Sequence, residues 1–229
     1  MDYSQQVTDF NAKKLSINQY WIEHGVFVMD PQNTYIDEDV EIGEGSTIYP
    51  NVFLLKGSKL EKNVTVLPNS FITNSIIHEE STIDSSKIVD SEVGSHSTIG
   101  PMAHLRGHTC IEGNARIGNF VEFKNTQFGQ GSKCAHLTYV GDSDVGKNVN
   151  FGCGVVTVNY DGKHKYRTTI KDGAFIGSNV NLIAPVTIGE NALLAAGSTI
   201  NQDVADGDMG IARPRVEIKP GYGTKYKMK

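Results

Sequence analysis

A parallel β-helix is the fold this sequence predicts, on three observations: an aliphatic residue every six positions, a small or β-branched residue two positions before each, and glycine or asparagine at the bends between. Aliphatic side chains stand at Ile36, Ile42, Ile48, Leu54, Leu60, Val66 and Ile72, and the fifth position of each block is Val40, Ser46, Val52, Ser58, Val64 and Ser70. The pattern returns at Val93, Ile99, Leu105, Ile111, Ile117 and Phe123, and again at Ile170, Ile176, Leu182, Ile188, Leu194 and Ile200, often followed by glycine as at Gly94, Gly118 and Gly177. A period of six suits a short strand plus a corner. The aliphatic residue points inward, the small one fills the remaining space, and Gly or Asn takes the bend where φ is positive. Three such faces close a triangular coil of about 18 residues, and coils stacked at roughly 4.8 Å pair their backbones as parallel ladders.

Taken in order, residues 1–30 are a lead-in, in which Gln5 to His24 is polar and helix-tolerant and stops at Gly25, predicting a short α-helix. Residues 31–204 are assigned to the β-helix. Between residues 73 and 92 the period slips, which predicts irregular coils of the same architecture. Between residues 158 and 169 it stops at a polar, charged, glycine-punctuated stretch, which predicts an extruded loop. Residues 205–229 form a tail containing Pro and Gly.

Composition narrows the classes of function. With 229 residues, 38% hydrophobic and 21% charged, the chain suits one well-cored soluble domain. A net charge of −5 gives no general attraction to nucleic acid or an anionic membrane. Lys219 to Lys229 carries four lysines, a local basic patch that is either a solvated terminus or a contact for phosphate. Cys110, Cys134 and Cys153 include no C-x-x-C pair, which fits a reducing compartment, so a cytoplasmic location is expected. The N-terminus lacks the basic start and apolar run of a signal peptide, and no apolar stretch approaches the roughly 18 residues of a membrane span.

Counting coils aligns side chains in columns. From Phe123 to Thr157 several blocks shorten to five residues, so stacked partners lie 17 apart, and one corner reads Asn119, His136, Cys153, then Ser178 and Ala196 beyond the loop. That edge is small and polar with one imidazole. A neutral imidazole, with an ordinary pKa of about 6.5, is the usual base when an ammonium must lose a proton before attacking a carbonyl. Arg106 and Lys124, 18 apart, stack directly. Like charges about 5 Å apart repel, and an anion between them relieves this; the bland alternative is two side chains splayed into water. A metal is the rival use for histidines, but His104, His108 and His136 do not stack, and no metal is expected.

At Leu105-Arg106, Gly118-Asn-Phe-Val-Glu-Phe-Lys124, His136-Leu-Thr-Tyr139, Asn148-Val-Asn150 and Asn159-Tyr-Asp-Gly162, and onward through Gly177-Ser178, Ala184-Pro-Val186, Ala195-Ala-Gly197 and Ala212-Arg213, the chain resembles the glucosamine-1-phosphate acetyltransferase half of the bifunctional bacterial enzymes that make UDP-N-acetylglucosamine. The likeness to hexapeptide-repeat proteins implies the left-handed form of the β-helix, against the usual right-handed crossover rule. It implies transfer of acetyl from acetyl-CoA to the amine of glucosamine-1-phosphate, in the service of cell-wall biogenesis. His136 would be the base, Arg106 and Lys124 would hold the sugar phosphate, and Tyr139 and Asn150 would meet the sugar. Cys153, Asn159, Tyr160, Ser178, Ala196 and Arg213 fall to acetyl-CoA. A homotrimer is implied, with the extruded loop and Lys165 set against a neighbouring copy.

The chain departs from the family in two places, where the family commonly has alanine at Cys153 and proline-glycine at Gly107-His108. The nucleotidyltransferase half is missing from the sequence, so neither UDP-sugar synthesis nor its Mg²⁺ is expected. The chemistry expected is direct transfer: His136, oriented by Glu122, takes the ammonium proton, and backbone N–H groups near Cys153, with Asn159 and Tyr160, face the oxyanion. The alternatives are a hexapeptide acyltransferase for another sugar and a sugar-phosphate-binding trimer without turnover.

Overall fold

Every third strand of the chain falls in the same sheet up to Thr199–Ile200, after which the last strand, Met209–Gly210, returns directly to the first sheet. In the computed structural model, which describes residues 3–226, the first sheet holds eleven strands from Phe27–Val28 to Met209–Gly210, the second ten from Tyr35–Ile36 to Thr199–Ile200, and the third nine from Glu41–Ile42 to Val186–Ile188. Neighbouring strands are parallel, as in Thr47 on Thr65 and Phe53 on Phe71, so the chain is a parallel β-helix of hexapeptide repeats. Of the four tail lysines, Lys227 and Lys229 lie outside the described residues.

The repeat explains the core. Ile48, Leu54, Val66, Ile72, Ile88, Ile99 and Leu105 are wholly buried along the axis, each contributing roughly 1.5–3 kcal/mol. The small fifth residues are buried too, and their hydroxyls join coils: Ser46 Oγ donates to Glu61 O at 3.1 Å and accepts the Val64 N–H at 3.1 Å. Asparagines turn the corners, with Asn51, Asn63, Asn69, Asn114 and Asn148 among those at positive φ.

Where the period slips, the strands persist. Ile72 pairs with Ile88, sixteen residues on, and Ile88 with Leu105, seventeen on, and all three stay buried. The residues are lost at corners because dropping one within a strand would turn its apolar side chain outward.

At the N-terminus α1 (Tyr3–Glu23) is 21 residues and covers the expected stretch, starting two residues before Gln5 and ending one before His24. It is pinned to the first coil by Asn18, buried, whose Nδ2 donates to Pro31 O at 2.7 Å and Thr34 O at 3.0 Å, while Ile17 and Trp21 pack on the core. Paired strand begins at Phe27, inside the expected lead, and ends at Gly210, inside the expected tail, because Leu193–Leu194 is still covered by Met209–Gly210. Among the described residues no helix is long and apolar enough to cross a membrane.

The extra length lies between Asn150 and Phe175, which pair although 25 residues apart. The surplus forms a small hairpin closed by the bridge between Tyr160 and Lys165, with Asp161 Oδ1 accepting the Lys163 and His164 N–H groups at 2.7 and 2.6 Å. Arg167 ties its base down through Asp144, the Nε bond being 2.8 Å.

Candidate active site

The corner between the first and second sheets carries the imidazole. His136 ends the strand Lys133–His136, pairs with Asn119 below, and is followed one coil up by Cys153, then Ser178 and Ala196. Main-chain bonds hold that line: Leu137 N–H to Asn119 O at 3.1 Å, Asn179 N–H to Cys153 O at 2.8 Å and Gly197 N–H to Ser178 O at 2.8 Å. Gly152 and Gly177 flank it. A Cβ on either would come within 2.4–2.5 Å of the next coil's backbone, so only glycine allows this stacking. Arg213 runs past the end of the column, its Cδ 4.0 Å from where a Cβ on Gly197 would be.

His136 is exposed, and its Nδ1 lies 2.8 Å from Asn119 Oδ1. With the proton on Nδ1 donated to that oxygen, Nε2 keeps its lone pair, the state a proton acceptor requires. Glu122 is not the partner found here. Its Oε1 is taken by Arg106, at 2.7 Å from both Nε and Nη2. The reason is register: Arg106 lies one coil below Lys124 on the strand face that Glu122 shares, and its planar fork captures the nearest carboxylate.

Arg106 and Lys124 stack as counted, but each has its own carboxylate, so their proximity by itself does not call for a bound anion. Lys124 Nζ donates to both oxygens of Asp142 at 3.0 Å. Burial pulls the Lys124 ammonium down, but Asp142 more than offsets this and holds it above the ordinary lysine range. Lys165 comes beside Lys124 of the same chain, because the hairpin folds back over this corner. The Lys124 ammonium holds it below the usual range. Tyr139 follows in the next coil, above Glu122, and its Oη would stand 2.3 Å from a Cβ on Gly141, which itself sits above Lys124.

The sequence-derived residues therefore divide. His136, Cys153, Ser178, Ala196 and Arg213 gather at the corner of sheets one and two. Arg106, Lys124, Asn159, Tyr160 and Lys165 gather at the corner of sheets two and three, with Tyr139 and Glu122 on the face between. The two corners are on the order of 15 Å apart, the length of a short strand and its turn. Asn150 is on the first sheet, above Lys133 and below Phe175, and does not meet the cationic group in one chain.

Sequence reasoning missed Asn119 as the imidazole's partner, and Asp142 and Asn125 altogether. The signal was present: 125, 142 and 159 repeat the 17-residue step of 119, 136 and 153.

Fold and repeat make this a hexapeptide-repeat β-helix protein: the model "Bacterial transferase hexapeptide (six repeats)" matches residues 167–202, and "GMPPB C-terminal domain" matches residues 30–121. The chain is, more particularly, a homologue of part of the bifunctional protein GlmU. It is 50% identical to that of Exiguobacterium sibiricum over 205 residues, 90% of this chain and 46% of the relative. It is 49% identical to that of Clostridioides difficile over 213 residues, 93% and 46%. The chain thus spans about half the length of the curated relatives it matches. Among solved structures, the Francisella novicida UDP-N-acetylglucosamine acyltransferase shares the fold, with a TM-score of 0.53 at 18% identity, over 81% of this chain and 67% of that one.

Proposed function

We propose that this chain transfers acetyl from acetyl-CoA to the amine of glucosamine-1-phosphate, in the cytoplasm, as a homotrimer whose active sites lie between copies. One observation carries the reading: a single imidazole, its Nδ1 held by Asn119, stands in a column of small residues beside a face that ends in a cationic cluster. In this reading Arg106, Lys124 and Lys165 hold the phosphate and Tyr139 and Asn150 the sugar. Cys153, Ser178, Ala196 and Arg213 line the acetyl-CoA path, where bare glycines allow close approach, and Asn159 and Tyr160 reach it from the other corner. His136 Nε2 takes a proton from the amine as the C–N bond forms; the C–S bond breaks and the thiolate of CoA leaves, taking up a proton. Asn119 replaces Glu122 as the orienting group.

Two features support assembly. The assigned residues are split between corners a face apart, and a second copy brings unlike corners together. Met102, Phe120 and Leu137 also form a ridge beside the imidazole, at φ of 57°, 56° and 48° and 57–59% exposed. The next residues up that corner are Gly154, Asn179 and Gly197, which suit positive φ. Bulky apolar side chains there cost about 1–3 kcal/mol each in strain and are left in water, a placement that an interface rewards and a lone coil does not.

Thiol release from acetyl-CoA with glucosamine-1-phosphate tests the function. Turnover is expected with this acceptor and not with sugar phosphates lacking an amine. His136→Ala should lower kcat at least about a hundredfold with CoA binding retained. Binding of both substrates without turnover would leave a non-catalytic trimer instead, and turnover of a different sugar would change the acceptor.

A further inference from the structure

Asn125, Asp142 and Asn159 occupy one corner of three successive coils. The middle rung is fixed by its main chain, with Asp142 N–H donating to Lys124 O at 2.8 Å and Asp142 O accepting the Thr168 N–H at 3.1 Å. Its carboxylate is buried, and isolated in such a place it would cost several kcal/mol to desolvate. Four contacts offset this: Asn125 Nδ2 donates at 2.6 Å, Lys124 Nζ to both oxygens at 3.0 Å, and Asn159 Nδ2 at 2.5 Å. Burial raises the carboxyl, but these donors outweigh it and hold it below the ordinary carboxylate range.

An ionised carboxylate only accepts, so it sorts the two ends of each amide beside it: the NH₂ turns in and the carbonyl oxygen turns away. Asn159 shows the consequence. Its Nδ2 is bound to Asp142, while its Oδ1 takes no hydrogen bond from the described residues and is not sealed from solvent. We propose that Asp142 is a positioning residue that locks Asn159 with its carbonyl oxygen presented to an N–H of the acyl donor's pantetheine arm, while the same carboxylate holds the Lys124 ammonium in place. The inference rests on the acetyl-transfer reading above. It couples the two substrate sites through one side chain: Lys124 belongs to the acceptor's phosphate, Asn159 to the acyl donor.

Asp142→Asn keeps the shape but donates as well as accepts, so it no longer sorts the Asn159 amide. In the full chain, KM for acetyl-CoA should rise about tenfold, the worth of one lost hydrogen bond. Asn159→Ala/Asp142→Asn should then be no worse than Asn159→Ala alone, because the carboxylate acts through the amide. Increases in KM for acetyl-CoA that multiply in the double variant overturn the proposal, as does a rise confined to KM for the amino sugar, whose own N–H is the other donor available to Asn159. Should Asp142→Asn fail to fold with Lys124 unpaired, Lys124→Gln/Asp142→Asn carries neither charge. Weaker CoA binding to it than to Lys124→Gln, by titration calorimetry, supports the role, and equal binding overturns it. Wild-type turnover is the separate control: an inactive wild type removes the acetyl-transfer reading, whereas an active one alongside an unaffected Asp142→Asn removes only the role of Asp142.

Discussion

The tautomer of His136 depends on one neutral amide. An Nδ1–H donated to Asn119 Oδ1 leaves Nε2 unprotonated and turned toward solvent as the acceptor. Asn119→Ala should therefore lower kcat about tenfold with KM for acetyl-CoA little changed. Asn119→Asp should restore the orientation and move the acidic limb of the pH–rate profile upward, because the neighbouring negative charge favours the imidazolium and a base works only when deprotonated. A limb that stays where it is would remove Asn119 from this role. Counting coils made Asn119 legible as the residue beneath His136, but the hydrogen bond was not. Glu122 was the natural choice as a nearby carboxylate, and only the reach of Arg106 from the coil below decides otherwise. Asp142 was legible by its spacing from Asn125 and Asn159, yet nothing in a polar corner residue announces that it is buried, since burial there depends on a hairpin folding over it.

Individual coils were legible wherever the hexad held and through the five-residue blocks from Phe123 to Thr157, whereas between residues 73 and 92 the register of each strand was not, because a missing corner residue looks like a broken pattern although the strand after it resumes in phase. The shortened stretch has its own fastening. His78 Nδ1 lies 3.1 Å from Glu61 Oε2 and its Nε2 2.7 Å from Glu92 Oε1, so each ring nitrogen faces a carboxylate of another block and both act as donors when the ring is charged. Burial pulls the His78 pKa down, but the Glu92 and Glu61 carboxylates prevail and raise it above 6.5. A raised value means that the folded chain binds the proton more tightly than the unfolded one. The stabilisation is fully present below about pH 6.5 and is lost as pH climbs through the folded value. Urea unfolding should show wild type gaining stability over His78→Gln on going from pH 8 to pH 6. A constant difference between the two across that range would mean that the clamp is not charged.

For the molecule as a whole, the apolar ridge is the feature that a single chain leaves unexplained. Phe120→Asn/Leu137→Asn puts at this corner the residue type found at Asn179 and at corners elsewhere in the solenoid. The coil should keep or gain thermal stability, while light scattering shows the assembly, expected at three times the 25.0 kDa chain, falling to single chains with loss of turnover. A variant that stays assembled and fully active would remove the ridge from the interface. Handedness and partners were beyond counting, since the hexad repeats identically whichever way the coil winds and says nothing of what lies outside it. The hairpin raises a different matter. It leaves and rejoins at a single corner, and Asn150 and Phe175 stack as if nothing lay between them. The spool therefore tolerates an inserted pendant without losing its winding, while the two ends of that pendant, Asn159 on Asp142 and Arg167 on Asp144, stay fastened to the coil, so that only its tip is open to exchange.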